Sequence, residues 1–102
     1  MNPIGQGGFV VRDEKQNHRF VVEADEGTAE LVYQEAPGRL VLIHTGVPDA
    51  MGGRGIGGQR VAAAVDRARA EGLVLEPRCP YARRWLETHP DAADGVTIDW
   101  PG

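Results

Sequence analysis

A chain of 102 residues can bury one hydrophobic core and is too short for two, so a single domain is expected over residues 1–102. Its formal net charge of −4 leaves no broad basic face for duplex nucleic acid or an anionic membrane. No apolar run approaches the ~18 residues of a membrane span. Cys79 is the only cysteine, which excludes an internal disulfide and a cysteine-built zinc cage within one chain. His18, His44 and His89 are too far apart for a metal-ligand motif, and no metal is expected. Met1–Val10 lacks a charged segment followed by an apolar one, so the expectation is a soluble, cytoplasmic protein, monomer or homodimer, with neither nucleic acid nor membrane as partner.

The first half reads as a meander of antiparallel strands, with candidates at Phe9–Asp13, Arg19–Ala24, Thr28–Glu35 and Arg39–Val47. Between them lie short clusters of Asn, Asp, Gly and Pro of hairpin length, so neighbouring strands should pair in order. In Arg39–Val47, Leu40 and Leu42 alternate with Val41 and Ile43. A strand apolar on both sides is expected to be central and covered on both faces.

The second half supplies the helices. The first should run from about Arg54 to Glu71, with Val61, Ala64, Val65 and Ala68 on its apolar stripe, Arg60, Asp66, Arg67 and Arg69 facing water, and Gly72 as C-cap. A short strand Leu73–Leu75, a Pro-punctuated turn and a helix Tyr81–His89 ended by Pro90 complete the pattern. A crossover of this length makes Leu73–Leu75 parallel to Arg39–Val47. The fold class is therefore α/β (α+β): a mixed sheet, an antiparallel N-terminal meander followed by a β-α-β-α crossover. Residues 1–8 and 91–102 are expected to be looser, although Val96, Ile98 and Trp100 alternate as an edge strand would.

Five of the fourteen glycines stand between Gly52 and Gly58. They follow a central strand and open an amphipathic helix, where bare amides converge on an anion and the helix dipole favours it. The turn is therefore read as a phosphate cradle. It is no P-loop, since Gly57-Gly58-Gln59 stands where Gly-Lys-Ser/Thr is needed. Gly53-Arg54-Gly55-Ile56-Gly57-Gly58 does spell GxGxxG, with Glu76 about 20 residues on, so a dinucleotide-binding domain is an alternative, although the preceding strand closes an antiparallel meander.

Over residues 20–89, His44-Thr45-Gly46-Val47-Pro48, Gly53-Arg54-Gly55-Ile56-Gly57, Ala68-Arg69-Ala70-Glu71-Gly72-Leu73, Cys79-Pro80-Tyr81 and His89-Pro90 occur in an order that resembles the short, minimal GNAT-like N-acetyltransferases. Gly52 occupies the position where that family's glycine motif has Arg or Gln. The resemblance implies a GNAT-like sheet that binds acetyl-CoA (coenzyme A) as co-substrate and moves acetyl to an amine of a small molecule or protein. It further implies that Val47 ends the strand pairing with the pantetheine arm. Gly53, Arg54, Gly55, Ile56, Gly57 and Gly58 would hold the pyrophosphate, and Arg83 or Arg84 would reach the adenosine end.

Two residues are candidates for the chemistry. Cys79 precedes Pro80 at a helix N-terminus, a place that stabilises a thiolate. The resemblance sets it beside the acyl sulfur, as covalent acceptor or as wall; a buried apolar role is the other reading. His44, near the end of the central strand, is of the residue type suited to removing an amine proton, or else a core histidine bonded to backbone. Glu76 is a spare base, and Tyr81 is a donor to the leaving thiolate by resemblance. The alternative to an enzyme is a non-catalytic module that binds coenzyme A and reports its level.

Overall fold

The computed structural model describes residues 10–24, 27–47 and 56–101, with side chains from residue 58 onward in the last span. A five-stranded sheet runs in chain order: β1 (Arg12–Glu14), β2 (Arg19–Ala24), β3 (Gly27–Ala36), β4 (Arg39–Gly46) and β5 (Val74–Pro77). The first four pair antiparallel, and β5 lies parallel to β4. The parallel pair is reached through α1 (Ile56–Glu71), and α2 (Pro80–Thr88) follows β5. This is the mixed sheet and β-α-β-α order expected from the sequence.

Local chemistry explains the boundaries. The β3–β4 hairpin turns at Pro37-Gly38, with Gly38 at φ +70°, a conformation glycine adopts without Cβ strain. At the end of α1, Gly72 has φ +69° and the Leu73 N–H returns to the Ala68 carbonyl, a Schellman-type stop. Pro80 opens α2, where a missing N–H costs nothing. β1 begins at Arg12, with Val10 and Val11 ahead of it outside any strand, and the expected start at Phe9 lies outside the described residues. The strand is held by Glu14, whose carboxylate takes hydrogen bonds from Arg19, Asn17 and Arg12.

One core joins the layers. Phe20, Leu31, Tyr33, Leu40 and Leu42 from the sheet meet Val61, Ala64, Val65 and Ala68 of α1 and Ala82 and Leu86 of α2. Both helices therefore lie on the face that carries Leu40 and Leu42, which corrects the expectation that helices cover β4 on both sides. Val41 is buried on the other face, where its register neighbours are Gln34 and Glu76. Long polar side chains shield that position in place of a second helix layer.

The polar stripe of α1 also departs from expectation. Asp66 and Arg69 are exposed, but Arg60 is only 2% exposed. Arg67 lies over the Tyr33 ring at 5.2 Å and pairs with Asp13, Glu71 and Glu35. The Tyr33 hydroxyl, held high in pKa first by burial and then by its bond to Asp13, donates to that carboxylate. This network ties β1 and β3 to the far end of α1. The C-terminal stretch is better packed than expected: Pro90–Ala93 form a 3-10 turn with Ala93 buried. Leu75 and Ile98 form a parallel bridge on the free side of β5, with Leu75 N–H to Thr97 O and Asp99 N–H to Leu75 O, both 2.9 Å.

Two stability measurements follow. A Cβ built on Gly58 would lie 2.5 Å from Trp85 Nε1. Gly58→Ala should gain about 1 kcal/mol of helix propensity and lose about 1–3 kcal/mol to overpacking, so urea titration should show net destabilisation, reversed in a Trp85→Phe background. The Glu14 carboxyl is held down at about 2, against a usual 4.5, chiefly by Arg19, then Asn17 and Arg12. The unfolded chain then takes up this proton first, so its contribution is complete above about pH 4.5 and is lost as pH falls towards 2. Glu14→Gln should flatten the acid limb of the stability curve in that window.

Candidate functional site

The pairing of β4 with β5 runs from Arg39↔Val74 to Leu42↔Pro77 and stops. The Arg78 and Cys79 N–H groups then both donate to the Leu42 carbonyl, each at 2.9 Å, and the chain turns into α2. Opposite this point β4 carries a bulge: Tyr33 pairs with Leu42 and Val32 with His44, leaving Ile43 as the extra residue. A bulge bends its strand and increases local twist, so β4 diverges from β5 where their ladder ends. Residues 43–46 consequently have no strand partner on the β5 side among the described residues. The strand edge left there, called the slot below, is a ready surface for an extended ligand.

Cys79 lies at the base of the slot. It is the N-cap residue of α2 with an extended backbone (φ −68°, ψ 125°), 2% exposed, and its Sγ lies 3.5 Å from Thr45 Oγ1. Thr45 pairs with Leu31, a core residue, and so faces the helices. From α1 the buried Arg60 reaches the same region: Nη1 donates to the Gly46 carbonyl at 3.0 Å and to the Glu30 carbonyl. Its Nε has no partner among the described residues. Burial works against the Arg60 charge, while Tyr81, Cys79 and Glu30 act in its favour. A cation in a low-dielectric site polarises groups near it more strongly than in water.

The predicted site residues are partly brought together. His44 pairs with Val32 on the face opposite Thr45 and is exposed, so it is not a core histidine, and the strand separates it from the thiol. Val47 follows the last residue of β4 and is 42% exposed. Gly53, Arg54 and Gly55 lie outside the described residues. Ile56, Gly57 and Gly58 form the first turn of α1, where amides lack helical partners. Gly58 has a packing reason as well, since only a residue without a side chain admits the Trp85 ring. Arg83 pairs loosely with Glu87 at 3.8 Å and, with Arg78, Tyr81 and Arg84, lines an open hollow of about 490 Å³ beside Cys79. Glu76 is engaged by Arg39 on one oxygen and Arg78 on the other. A larger hollow, about 610 Å³, lies at the far end of α2 against Val96, Ile98 and Trp100. No group of three or more metal-ligating side chains occurs among the described residues.

Sequence reasoning missed Arg60. A signal was present: Arg60 precedes Ala64 and Ala68 by four and eight residues, which puts it on the buried stripe of the helix. Arginine is ordinarily a surface residue, and that prior prevailed over the spacing.

Comparison with known proteins agrees with this geometry. The family model described as GCN5-related N-acetyl-transferase matches residues 19–95. Protein NATD1 of Mus musculus is 35% identical over 91 residues, covering 85% of this chain and 83% of the relative. Protein NATD1 of Gallus gallus is 32% identical over 83 residues, covering 78% and 76%, and that of Homo sapiens is 32% identical over 83 residues, covering 78% and 74%. The dinucleotide alternative has a physical objection in the sheet, which contains one parallel pair where successive parallel strands are required.

Arg60→Met removes a buried charged donor from two carbonyls. Charge-assisted bonds contribute about 1.5–3 kcal/mol each, offset here by the relief of burying a cation. Urea unfolding should show a net loss of about 1–3 kcal/mol, and hydrogen exchange should show faster opening of the Glu30 and Gly46 strand ends.

Proposed function

Because the chain belongs to the GCN5-related N-acetyltransferase family, we propose that it binds acetyl-CoA in the β4–β5 slot and transfers acetyl to an amine of a small molecule or protein. The observation that carries this reading is the ladder's stop at Leu42, which leaves the edge of residues 43–46 unpaired beside a helix N-terminus. The residues present suit the cofactor. Backbone of Ile43–Val47 pairs with the amides of the pantetheine arm. Amides at the start of α1, with Gly53, Arg54 and Gly55, hold the pyrophosphate. Arg83 and Arg84 face the adenosine end from the basic hollow. Bound there, the cofactor supplies an activated thioester.

The chain's own groups then do three things. The slot edge orients the acyl group against β4. Cys79 and Thr45 close the helix-facing wall and exclude water. The buried Arg60 cation and the start of α2 favour negative charge on that side, where the leaving thiolate develops; Tyr81, at that helix start, donates a proton to it. The amine arrives from the opposite face, where His44 stands. This favours direct transfer, with Cys79 as wall. The covalent route through Cys79 keeps one supporting observation, its place at a helix N-terminus near a buried cation. A reducing compartment, the cytoplasm, suits the free thiol.

The test has two parts. Acetyl-CoA at about 100 times its dissociation constant should stabilise the fold by about 2.7 kcal/mol, and NAD should not. Thiol release with an amine panel should then show turnover, with no acetyl adduct on Cys79 by intact mass and Cys79→Ala retaining most of the rate. Tight binding without turnover would identify the coenzyme A-reporting module instead. An acetylated Cys79 whose loss abolishes turnover would establish the covalent route.

A further inference from the structure

We propose that Glu30 is the proton acceptor for the amine, with Gly46 as the opening through which the amine reaches it. The inference deepens the transferase reading and rests on it.

Glu30 lies on β3 directly across from Gly46, and Val32 across from His44, so Glu30 and His44 share the helix-free face at the open end of the slot. A Cβ built on Gly46 would lie 3.6 Å from Glu30 Oε2 and 3.8 Å from His44 Nε2. Two polar groups therefore converge on one bare point of backbone. Gly46 puts no side chain between them, which leaves the approach over its backbone to Glu30 Oε2 open.

Glu30 is held from both sides of the sheet, by its carboxylate on one and its backbone carbonyl on the other. Arg19 Nη1 takes Oε1 at 2.9 Å, and Arg19 is itself fixed by Glu14 through Nε. From the helix side, Arg60 bonds the carbonyls of both Glu30 and Gly46. Oε2 has no hydrogen-bond partner among the described residues and is the oxygen turned toward Gly46. The other candidates are less well placed: Glu76 has both oxygens engaged by arginines, and Cys79 lies on the helix side. His44 stands as the second wall of the opening, without the anchor that Arg19 gives Glu30.

The neutral amine nitrogen attacks the thioester carbonyl carbon and forms the C–N bond. Its proton passes to Glu30 Oε2. The carbonyl re-forms as the C–S bond breaks, and the thiolate leaves with the electron pair and takes a proton on the helix side. Glu30 returns its proton to solvent.

Glu30→Gln keeps the shape and removes the base. With an amine that the wild type acetylates, kcat at neutral pH should fall about 100-fold, KM for acetyl-CoA should stay within twofold, and the rate should recover with rising pH as free amine becomes abundant. Glu30→Asp should restore part of kcat; because Asp can also re-form the Arg19 pair, the altered pH profile of Glu30→Gln is the readout that a merely structural role would not move. Undiminished kcat and an unchanged pH profile in Glu30→Gln, with the wild type active, would overturn the assignment alone. A wild type that acetylates no amine although acetyl-CoA protects its fold would overturn the transferase reading and this assignment with it.

Discussion

The Leu42 carbonyl accepts two amides, those of Arg78 and Cys79, and the architecture of the site depends on that termination. β5 ends at Pro77, which pairs with Leu42. Here the return of two successive N–H groups to one oxygen ends the pairing while β4 still has four residues to run. The bulge at Ile43 on the β3 side turns β4 away at the same level. Backbone that would otherwise be satisfied within the sheet is left facing a gap, and buried or half-buried backbone of this kind needs a partner. An extended ligand with its own amides would provide one.

The same point separates the two faces of the sheet chemically. Toward the helices lie Cys79, Thr45 and the buried Arg60, in apolar surroundings that strengthen any field they produce. Away from the helices lie His44, Glu30 and the ion pairs of Arg12, Glu14 and Arg19, which are partly exposed. Acid–base work and leaving-group stabilisation require different environments, and a slot through a sheet with helices on one side gives access to both. Arg60 links them, since one guanidinium nitrogen holds Glu30 of β3 and Gly46 at the end of β4. Charge is thus used here to fix strand geometry as well as to set a local potential, and a surface ion pair would do neither with comparable strength.

Distant parts of the molecule support this arrangement without taking part in it. Arg67, stacked on Tyr33 and paired with carboxylates from β1, β3 and its own helix, fixes the far end of α1. Gly58 and Trp85 bring α1 and α2 into close contact at the near end. The angle of α1 across the sheet is thereby constrained at two points, and with it the direction of its first turn. The C-terminal bridge at Ile98 covers the outer edge of β5, protecting an edge that would otherwise be free to pair elsewhere.

Strand order, the parallel crossover, the two helices and their stops were legible in the sequence, because hydrophobic period, turn residues and helix caps are local signals that act over a few residues. The family was legible through the order of its short motifs, and the placement of Cys79 at a helix start followed from Pro80. Sequence could not show that both helices take one face, since Val41 is as apolar as Leu40 and only packing distinguishes a helix from a canopy of long side chains. Nor could it show the buried Arg60, the opposite faces of His44 and Cys79, or the meeting of Glu30 with Gly46, sixteen residues apart in the chain. Local preference determined which elements form. The bulge, the early end of the β4–β5 ladder and the register across β3 decided which side chains meet, because those depend on pairing between segments that carry no mark of each other in the sequence.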